Sequence, residues 1–313
     1  MTAAPSTTLP MLIEEVEVRA VERLSPSFVR VELGSPALAE LGVSSTSYDQ
    51  RIKLIFPDGD HPLPAFEGVG EGWYGEWLAR PEAERGHMRT YTIRGVRGEG
   101  ESTRLVVDIV VHEGATGPAG IWGERAAVGD RVICTAPRRG HEYGGIEFAP
   151  SDGDALLLVG DETAVPAVAA ILEQLDVAAR GAVFLEVPFA ADVLTLEHPE
   201  GVGVRWLPRD GGPRGEALHA AVLEHLGAQA ASLEVDESEI DPDLWETPFY
   251  SSSGEAEGGN GRSVGHEWHG LYAWVAGVSK GVTGLRRALV KDLGLDRHQV
   301  AFMGYWREGR SIS

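Results

Sequence analysis

The hydrophobic pattern changes period near residue 150, and that change restricts the chain to a two-part fold. Upstream, short runs alternate apolar with polar residues. "FVRVEL" (28–33) alternates, "RIKLIF" (51–56) puts Ile52, Leu54 and Phe56 on one face, and "RLVVDIVVH" (104–112) groups Leu105, Val107, Ile109 and Val111. "RTYTIR" (89–94) and "RVICTAP" (131–137) extend the series, and "FPDGDHPLPAFEGVGEG" (56–72) reads as a long loop. Many short strands separated by Gly and Pro predict an antiparallel barrel. Downstream of the turn "SDGD" (151–154), "ALLLVG" is a continuous apolar run, as a strand buried on both faces requires. "TAVPAVAAILEQL" follows with helical spacing and a proline in its first turn. Strands "AVFLEV" (182–187), "VRWLP" (204–208), "LYAWVAG" (271–277) and "QVAFMGYW" (299–306) then alternate with helices "GEALHAAVLEHL" (215–226) and "GLRRALVKDLG" (284–294). That alternation builds an open parallel α/β sheet. The expected division is an N-terminal Greek-key β-barrel over 1–150 and an α/β domain over 151–313. An acidic, Gly/Ser-rich stretch near 234–268 reads as a flexible surface insertion.

Charge and cysteine content narrow the function classes. The formal net charge is −21, a field that repels nucleic-acid phosphates and anionic lipid. No apolar run reaches the roughly 18 residues of a membrane span. The N-terminal "MTAAPSTTLPMLIEEVEV" lacks the basic-then-apolar order of a secretory leader. One cysteine, Cys134, allows neither an internal disulfide nor a zinc cluster. A cytoplasmic protein is the expectation.

Two segments have the chemistry of phosphate sites. In "LLLVGDETAVPA" (156–167), Gly160 permits a sharp turn after a strand and Thr163 can cap the helix that follows. In "HEGATGPAGIWGE" (112–124), Gly117, Pro118, Ala119 and Gly120 offer small residues and free amides ahead of a short helix. "RTYTIR" adds a guanidinium, an aromatic ring and a hydroxyl. By strand alternation Arg89 and Tyr91 share one face while Thr92 lies on the other, so a twist or bulge is needed for all three to meet one ligand. "GRSVG" (261–265) matches a nucleophile-elbow pattern but follows a Gly/Ser-rich loop rather than a buried strand. "HEWH" (266–269) lacks both helical zinc spacing and an evident third ligand. No catalytic nucleophile, base or metal set stands out, as suits hydride and electron transfer, where a cofactor carries the chemistry.

Together these motifs resemble the ferredoxin-reductase superfamily and, within it, the siderophore-interacting protein family of flavin-dependent ferric-siderophore reductases. The resemblance rests on "RTYTIR" (89–94), "VVDIVVHEGATGPAGIW" (106–122), "GDETAVPA" (160–167), "VRWLPRDG" (204–211), "DLWETP" (243–248), "YAWVAG" (272–277), "LRRAL" (285–289) and "GYWR" (304–307). It implies an FAD-binding barrel in which Arg89 meets the pyrophosphate and Tyr91 and Thr92 meet the isoalloxazine. Asp108, His112, Gly117, Pro118 and Ala119 would complete that site. It implies further that Gly160, Asp161, Glu162, Thr163 and Gly277 meet a nicotinamide nucleotide, with Arg209 near its adenosine end and able to take a 2′-phosphate. Tyr305 and Trp306 would lie near the flavin face. Lys53, Arg286 and Arg287 would form a cationic patch for an anionic ferric siderophore.

The implied reaction is a relay from NAD(P)H, or from ferredoxin as donor, through FAD to Fe(III) in a chelate. Val278 and Thr283 depart from the family pattern, which often places Glu and Lys there, and so bear on cofactor preference and siderophore range. A general flavin reductase with another acceptor and a flavin-free siderophore-binding protein are the competing readings.

Overall fold

A computed structural model describes residues 9–43, 46–66, 68–111, 117–228, 240, 244–248, 250–251 and 268–307. The chain divides into two compact units that meet in sequence between Ile146 and Glu147. Most of the expected insertion, the whole of "GRSVG" and His266 lie outside the described residues.

The first unit contains β1 (Met11–Ser25), β2 (Phe28–Gly34), β3 (Arg51–Phe56), α1 (Trp73–Leu78), α2 (Glu82–Arg85), β4 (His87–Thr92), β5 (Gly95–Arg97), β6 (Arg104–Val110), α3 (Pro118–Arg125) and β7 (Arg131–Pro137). Its seven strands form one antiparallel sheet in the order β4-β3-β7-β1-β2-β6-β5. The sheet curls: beyond β4, the Ile93 amide donates to Gln50 at 2.9 Å and the Arg94 amide crosses to the Val106 carbonyl at 2.9 Å. The inward faces of the strands pack as expected, with Ile52, Leu54, Phe56, Leu105, Val107, Ile109 and Val111 in one buried core.

Sequence reading missed β1, whose "IEEVEV" start looked only like a leader that was not one. It is the strand that pairs with both β2 and β7. Past the expected loop lie α1 and α2. Trp73 and Trp77 of α1 pack with Ile55, Met88 and Ile133 on the outer face of the sheet, which explains how Ile55 is buried out of phase with its neighbours.

The second unit contains β8 (Ala155–Gly160), α4 (Val165–Gln174), β9 (Gly181–Val187), β10 (Val202–Pro208), α5 (Glu216–His225), β11 (Trp245–Thr247), β12 (Tyr250–Ser251), β13 (Leu271–Val278), α6 (Ser279–Arg286) and β14 (Val300–Trp306). Strand order is β10-β9-β8-β13-β14-β11-β12. The first five of these strands pair in parallel, while β11 runs antiparallel to β14 and to β12. The sheet is therefore mixed at one edge rather than all parallel. Helices α5 and α6 cover the face that carries Leu157, Val159, Ala273 and Val275. In α4 every residue from Val165 to Leu172 is buried, the mark of an interior helix. Helix α6 begins directly after β13, earlier than its spacing predicts, and continues into a π-turn over Arg287–Asp292.

The order of strands locates a crevice. From β8 the chain runs outward through β9 and β10, then returns to β13 on the other side of β8. The carboxyl ends of β8 and β13 thus flank a topological switch point, where open α/β sheets bind their ligands.

Candidate cofactor sites

In the first unit, β4 pairs with β3 in continuous register, Arg51 with Thr92, Ile52 with Tyr91 and Leu54 with Arg89. The expected bulge is absent, so Arg89 and Tyr91 share the inward face and Thr92 points the other way. Arg89 donates to the Met88 carbonyl at 2.6 Å. Burial lowers the affinity of its guanidinium for the proton, a cost that an anion beside it would offset. The Tyr91 ring lies edge-on to Phe56, with centroids 5.9 Å apart, and burial raises the phenol's pKa.

Phe56 also meets Trp122 of α3 at 5.0 Å, which ties that helix to the β3–β4 pair. Gly123 lets α3 press onto β6, because a Cβ there would stand 2.8 Å from Ile109 and 2.9 Å from Val111. The helix starts at Pro118 after Gly117, and among the described residues no side chain caps its first amides. A guanidinium, a phenol and an uncapped helix start in one unit match the donor set that a pyrophosphate and a flat heterocycle require, so the residues fit FAD. His112 lies outside the described residues. Asp108 is among the residues expected to complete the flavin site. It sits on the outer face of β6, and its carboxylate takes two hydrogen bonds from Arg30 at 2.7 and 2.8 Å. An ion pair occupies the group expected at the flavin.

Lys53 points away from the barrel core, as the alternation predicts. Its Nζ donates to Thr90 Oγ1 at 2.7 Å, and burial, with Arg51 nearby, lowers its pKa. In the second unit the Arg286 guanidinium makes a two-pronged pair with Glu246 at 2.6 and 2.8 Å. Arg287 is exposed, in the second unit.

At the switch point of the second unit, the "GDET" side chains turn inward. Asp161 is buried, and its carboxylate accepts from the Thr163 amide (2.9 Å), Thr163 Oγ1 (2.5 Å), the Val278 amide (2.7 Å) and Trp306 Nε1 (2.9 Å). Burial, then the neighbouring Glu162, pushes its pKa up to about 6, against the pull of those hydrogen bonds. Thr163, expected to cap α4, spends its hydroxyl on Asp161.

Glu162 is fully buried and bound twice by Arg209, at 2.8 and 3.1 Å, with Arg214 at 3.5 Å. Arg209 also reaches Glu186 at 3.0 Å, and both Glu186 oxygens accept from the Gly215 amide at 2.9 Å. Burial opposes ionisation of Glu162, but the arginines outweigh it and hold the carboxyl below its ordinary range. Arg209 is the residue expected near the nucleotide's adenosine end. Its side chain is 8% exposed and clamped between two carboxylates, which raise its pKa despite burial. Its charge is thus already offset by two carboxylates.

Glycines shape the crevice. A Cβ at Gly160 would fall 2.4 Å from Ala164, so only glycine turns β8 into α4. Gly277 adopts φ +146° with the Asp161 carboxyl 2.7 Å from where a Cβ would stand. The crevice is lined by Asp161, Glu186, Arg214, Gly215, His219, Gly277 and Val278 with apolar neighbours. The first turn of α4 carries no side-chain cap. Backbone amides, glycines and one arginine fit a dinucleotide phosphate, while the Asp161 and Glu162 carboxylates are engaged by protein donors. Val278 contributes its amide to Asp161, and the Thr283 hydroxyl bonds back to the Ser279 carbonyl at 2.8 Å. Tyr305 stacks on Trp245 with centroids 6.1 Å apart, and the Arg214 guanidinium stands 4.5 Å over the Trp306 ring. Arg214, Glu186 and Ser279 were missed from sequence. Only Arg214 left a trace, as a second arginine in the glycine-rich turn after β10.

Comparison with known proteins bears on both units. Residues 17–141 match the model of the siderophore-interacting FAD-binding domain, and residues 153–309 match the siderophore-interacting protein model. The chain belongs to the siderophore-interacting protein family. A Mycobacterium tuberculosis relative is 36% identical over 62% of this chain, and the match spans 65% of the relative's own length. Ferric vibriobactin reductase ViuB of Vibrio cholerae is 28% identical over 96% of this chain and 91% of its own. The NADPH-dependent ferric-chelate reductase of Escherichia coli is 33% identical over 63% and 71%. A siderophore utilization protein of T. fusca superposes with a TM-score of 0.66 at 28% identity, covering 97% of this chain and 95% of that one. A ferredoxin reductase of carbazole 1,9a-dioxygenase shares the fold, with a TM-score of 0.56 at 17% identity over 95% and 70% of the two chains. The expected family and the barrel-plus-α/β fold are thereby established. No helix among the described residues is long and apolar enough to cross a membrane.

Proposed function

We propose that this protein is an FAD-dependent oxidoreductase that uses NAD(P)H to reduce the iron of ferric siderophores in the cytoplasm. The observation that carries the reading is the strand β4 in the FAD-domain match. It sets Arg89 and Tyr91 on one face, tied through Phe56 to a helix whose start is uncapped. Family relatives named as ferric-chelate and ferric-vibriobactin reductases supply the acceptor class. Bound FAD would take a hydride from NAD(P)H and pass its two electrons singly to two ferric chelates, and the Fe(II) formed is held less tightly by hard oxygen ligands.

The chain's own contribution is binding and orientation. Arg89 and the α3 amides hold the pyrophosphate, and Tyr91, fixed against Phe56, borders the ring system with Thr92 supporting the strand end. Gly160, Gly277 and the α4 start receive the nucleotide. Lys53 offers a partly desolvated cation on the outer barrel face. In a protein of net charge −21 it marks a local attraction for an anionic chelate. Ferredoxin as donor is an alternative to NAD(P)H.

The pairing of Arg286 with Glu246 removes one expected substrate cation and favours, as second reading, a flavin reductase with a broader acceptor range. Steady-state reduction of anionic and neutral ferric chelates by wild type and Lys53→Ala, at low and high salt, separates the two. The siderophore reading expects a raised KM for anionic chelates only, shrinking at high salt, with flavin reduction by NADPH unchanged. Identical handling of both chelates by the two proteins leaves the broader reductase. A purified protein without flavin absorbance rejects both.

A further inference from the structure

The end of β14 departs from regular pairing in a way that serves one side chain. Gly277 of β13 pairs with Gly304, but Val278 pairs with Trp306, so Tyr305 is an extra residue. Such a bulge re-aims the side chain that follows it. Without it Tyr305 would stand opposite Val278; with it Tyr305 turns to stack on Trp245, and the Trp306 indole comes to the Asp161 carboxylate. Two glycines make room for that arrangement, and Ser279 and Arg214 hold it. Gly277 has no Cβ where one would strike Asp161 at 2.7 Å, and Gly304 has none where one would lie 2.8 Å from Ser279 Oγ. Ser279 Oγ in turn donates to the Trp306 carbonyl at 3.0 Å. Arg214 covers a face of the indole at 4.5 Å. Asp161, Arg214, Gly277 and Val278, the residues around the indole, all line the crevice at the switch point.

We infer that Asp161 is a positioning residue for the nicotinamide nucleotide: its carboxylate fixes the Trp306 indole beside Asp161 and Arg214, which line the crevice, and it acts through that ring rather than by touching the nucleotide. This rests on the reading of the second unit as the NAD(P)H-binding half. Both oxygens of Asp161 are taken by protein donors, which leaves the carboxylate no role as a direct ligand. The same bonds join the ends of β8, β13 and β14, so the position of the indole is set by three strands at once.

The test uses FAD-loaded protein with ¹⁵N-labelled indoles, the Trp306 Nε1–H resonance being assigned by Trp306→Phe. Asp161→Asn is expected to move that resonance alone and to speed its hydrogen exchange about tenfold, as loss of one charge-assisted hydrogen bond implies. The KM for NADPH should rise more than kcat falls, with FAD content unchanged. Trp306→Phe should raise the same KM, and the double variant should do no worse than the poorer single one. Asp161→Ser, which removes the carboxylate with a small side chain, repeats the measurement if Asp161→Asn does not fold. An unmoved indole resonance overturns the inference, as does a moved resonance with an unchanged KM, or single-variant effects that multiply. Failure of wild type to bind NADPH in a direct titration overturns the nucleotide reading itself, whatever the resonance shows.

Discussion

Two arginines that look alike in sequence have opposite fates in the two units. Arg89 and Arg209 each lie in or just after a strand, near a glycine-containing turn, and each suits a phosphate. Arg89 contacts a backbone carbonyl, and burial lowers its pKa. Arg209 is clamped by Glu162 and Glu186, which raise its pKa. A desolvated guanidinium is stabilised when an anion arrives; one already between two carboxylates would have to give up a partner first. The first is desolvated on a strand face, and the second fastens loops. The Glu162–Arg209–Glu186 network, with Gly215, fastens the turn after β10 to the ends of β8 and β9.

The largest effect that could break this comparison is on stability. Arg209→Ala removes the main cation from two buried carboxylates, a loss of about 3–5 kcal/mol by the usual cost of breaking a buried pair from one side. Urea denaturation should show it, and the KM values for NADH and NADPH should change by the same factor. A selective loss of NADPH would restore Arg209 to the nucleotide.

Arg89→Ala is expected to do the reverse, with a stability loss well below that of Arg209→Ala and FAD affinity weaker by about 1.5–3 kcal/mol, the worth of hydrogen bonds to a charged group. Titrating flavin into the apoprotein measures it, and an unchanged Kd would remove Arg89 from the site.

The smallest effect sharpens the contrast within the second unit, between Asp161 and its neighbour Glu162. Asp161 has its pKa raised from 3.8 to about 6, so the folded state binds this proton more tightly than the unfolded chain. Its contribution to stability is therefore full below pH 3.8 and is lost as pH rises through about 6. Glu162 is shifted the other way, so its contribution is present at neutral pH and is lost as pH falls through its depressed folded value. Measured against Asp161→Asn, whose side chain cannot ionise, wild type should lose relative Tm as pH rises from 4.5 to 7.5, by roughly a few degrees. Glu162, Glu186, His219 and Arg214 surround the same crevice, and comparing the two proteins at each pH cancels their common titration. A Tm difference that stays flat over this range would place the carboxyl near its ordinary value.

Much of the architecture was legible from periodicity. Alternation in "RIKLIF" and "RLVVDIVVH" identified barrel strands and their inward faces, and the run "ALLLVG" followed by a helical pattern identified the switch to α/β. The face assignment of Arg89 and Tyr91 against Thr92 also follows from alternation and holds in the structure. Strand β1 was missed because its charged start hides the alternation, and α1 because six residues are too few to show a helical period.

Periodicity is local, and it determined the two-unit plan, the inward faces of the strands and the placing of the phosphate-loop candidates. The tertiary structure decided which polar groups remain for a ligand, because the partners come from far along the chain. Glu162 and Arg209 are 47 residues apart, Glu246 and Arg286 are 40 apart, and Asp161 and Trp306 are 145 apart. A buried charge must be paired wherever its partner lies in sequence. Likewise the bulge that turns Trp306 toward Asp161 is a property of the pairing between β13 and β14, which neither strand's sequence reveals alone.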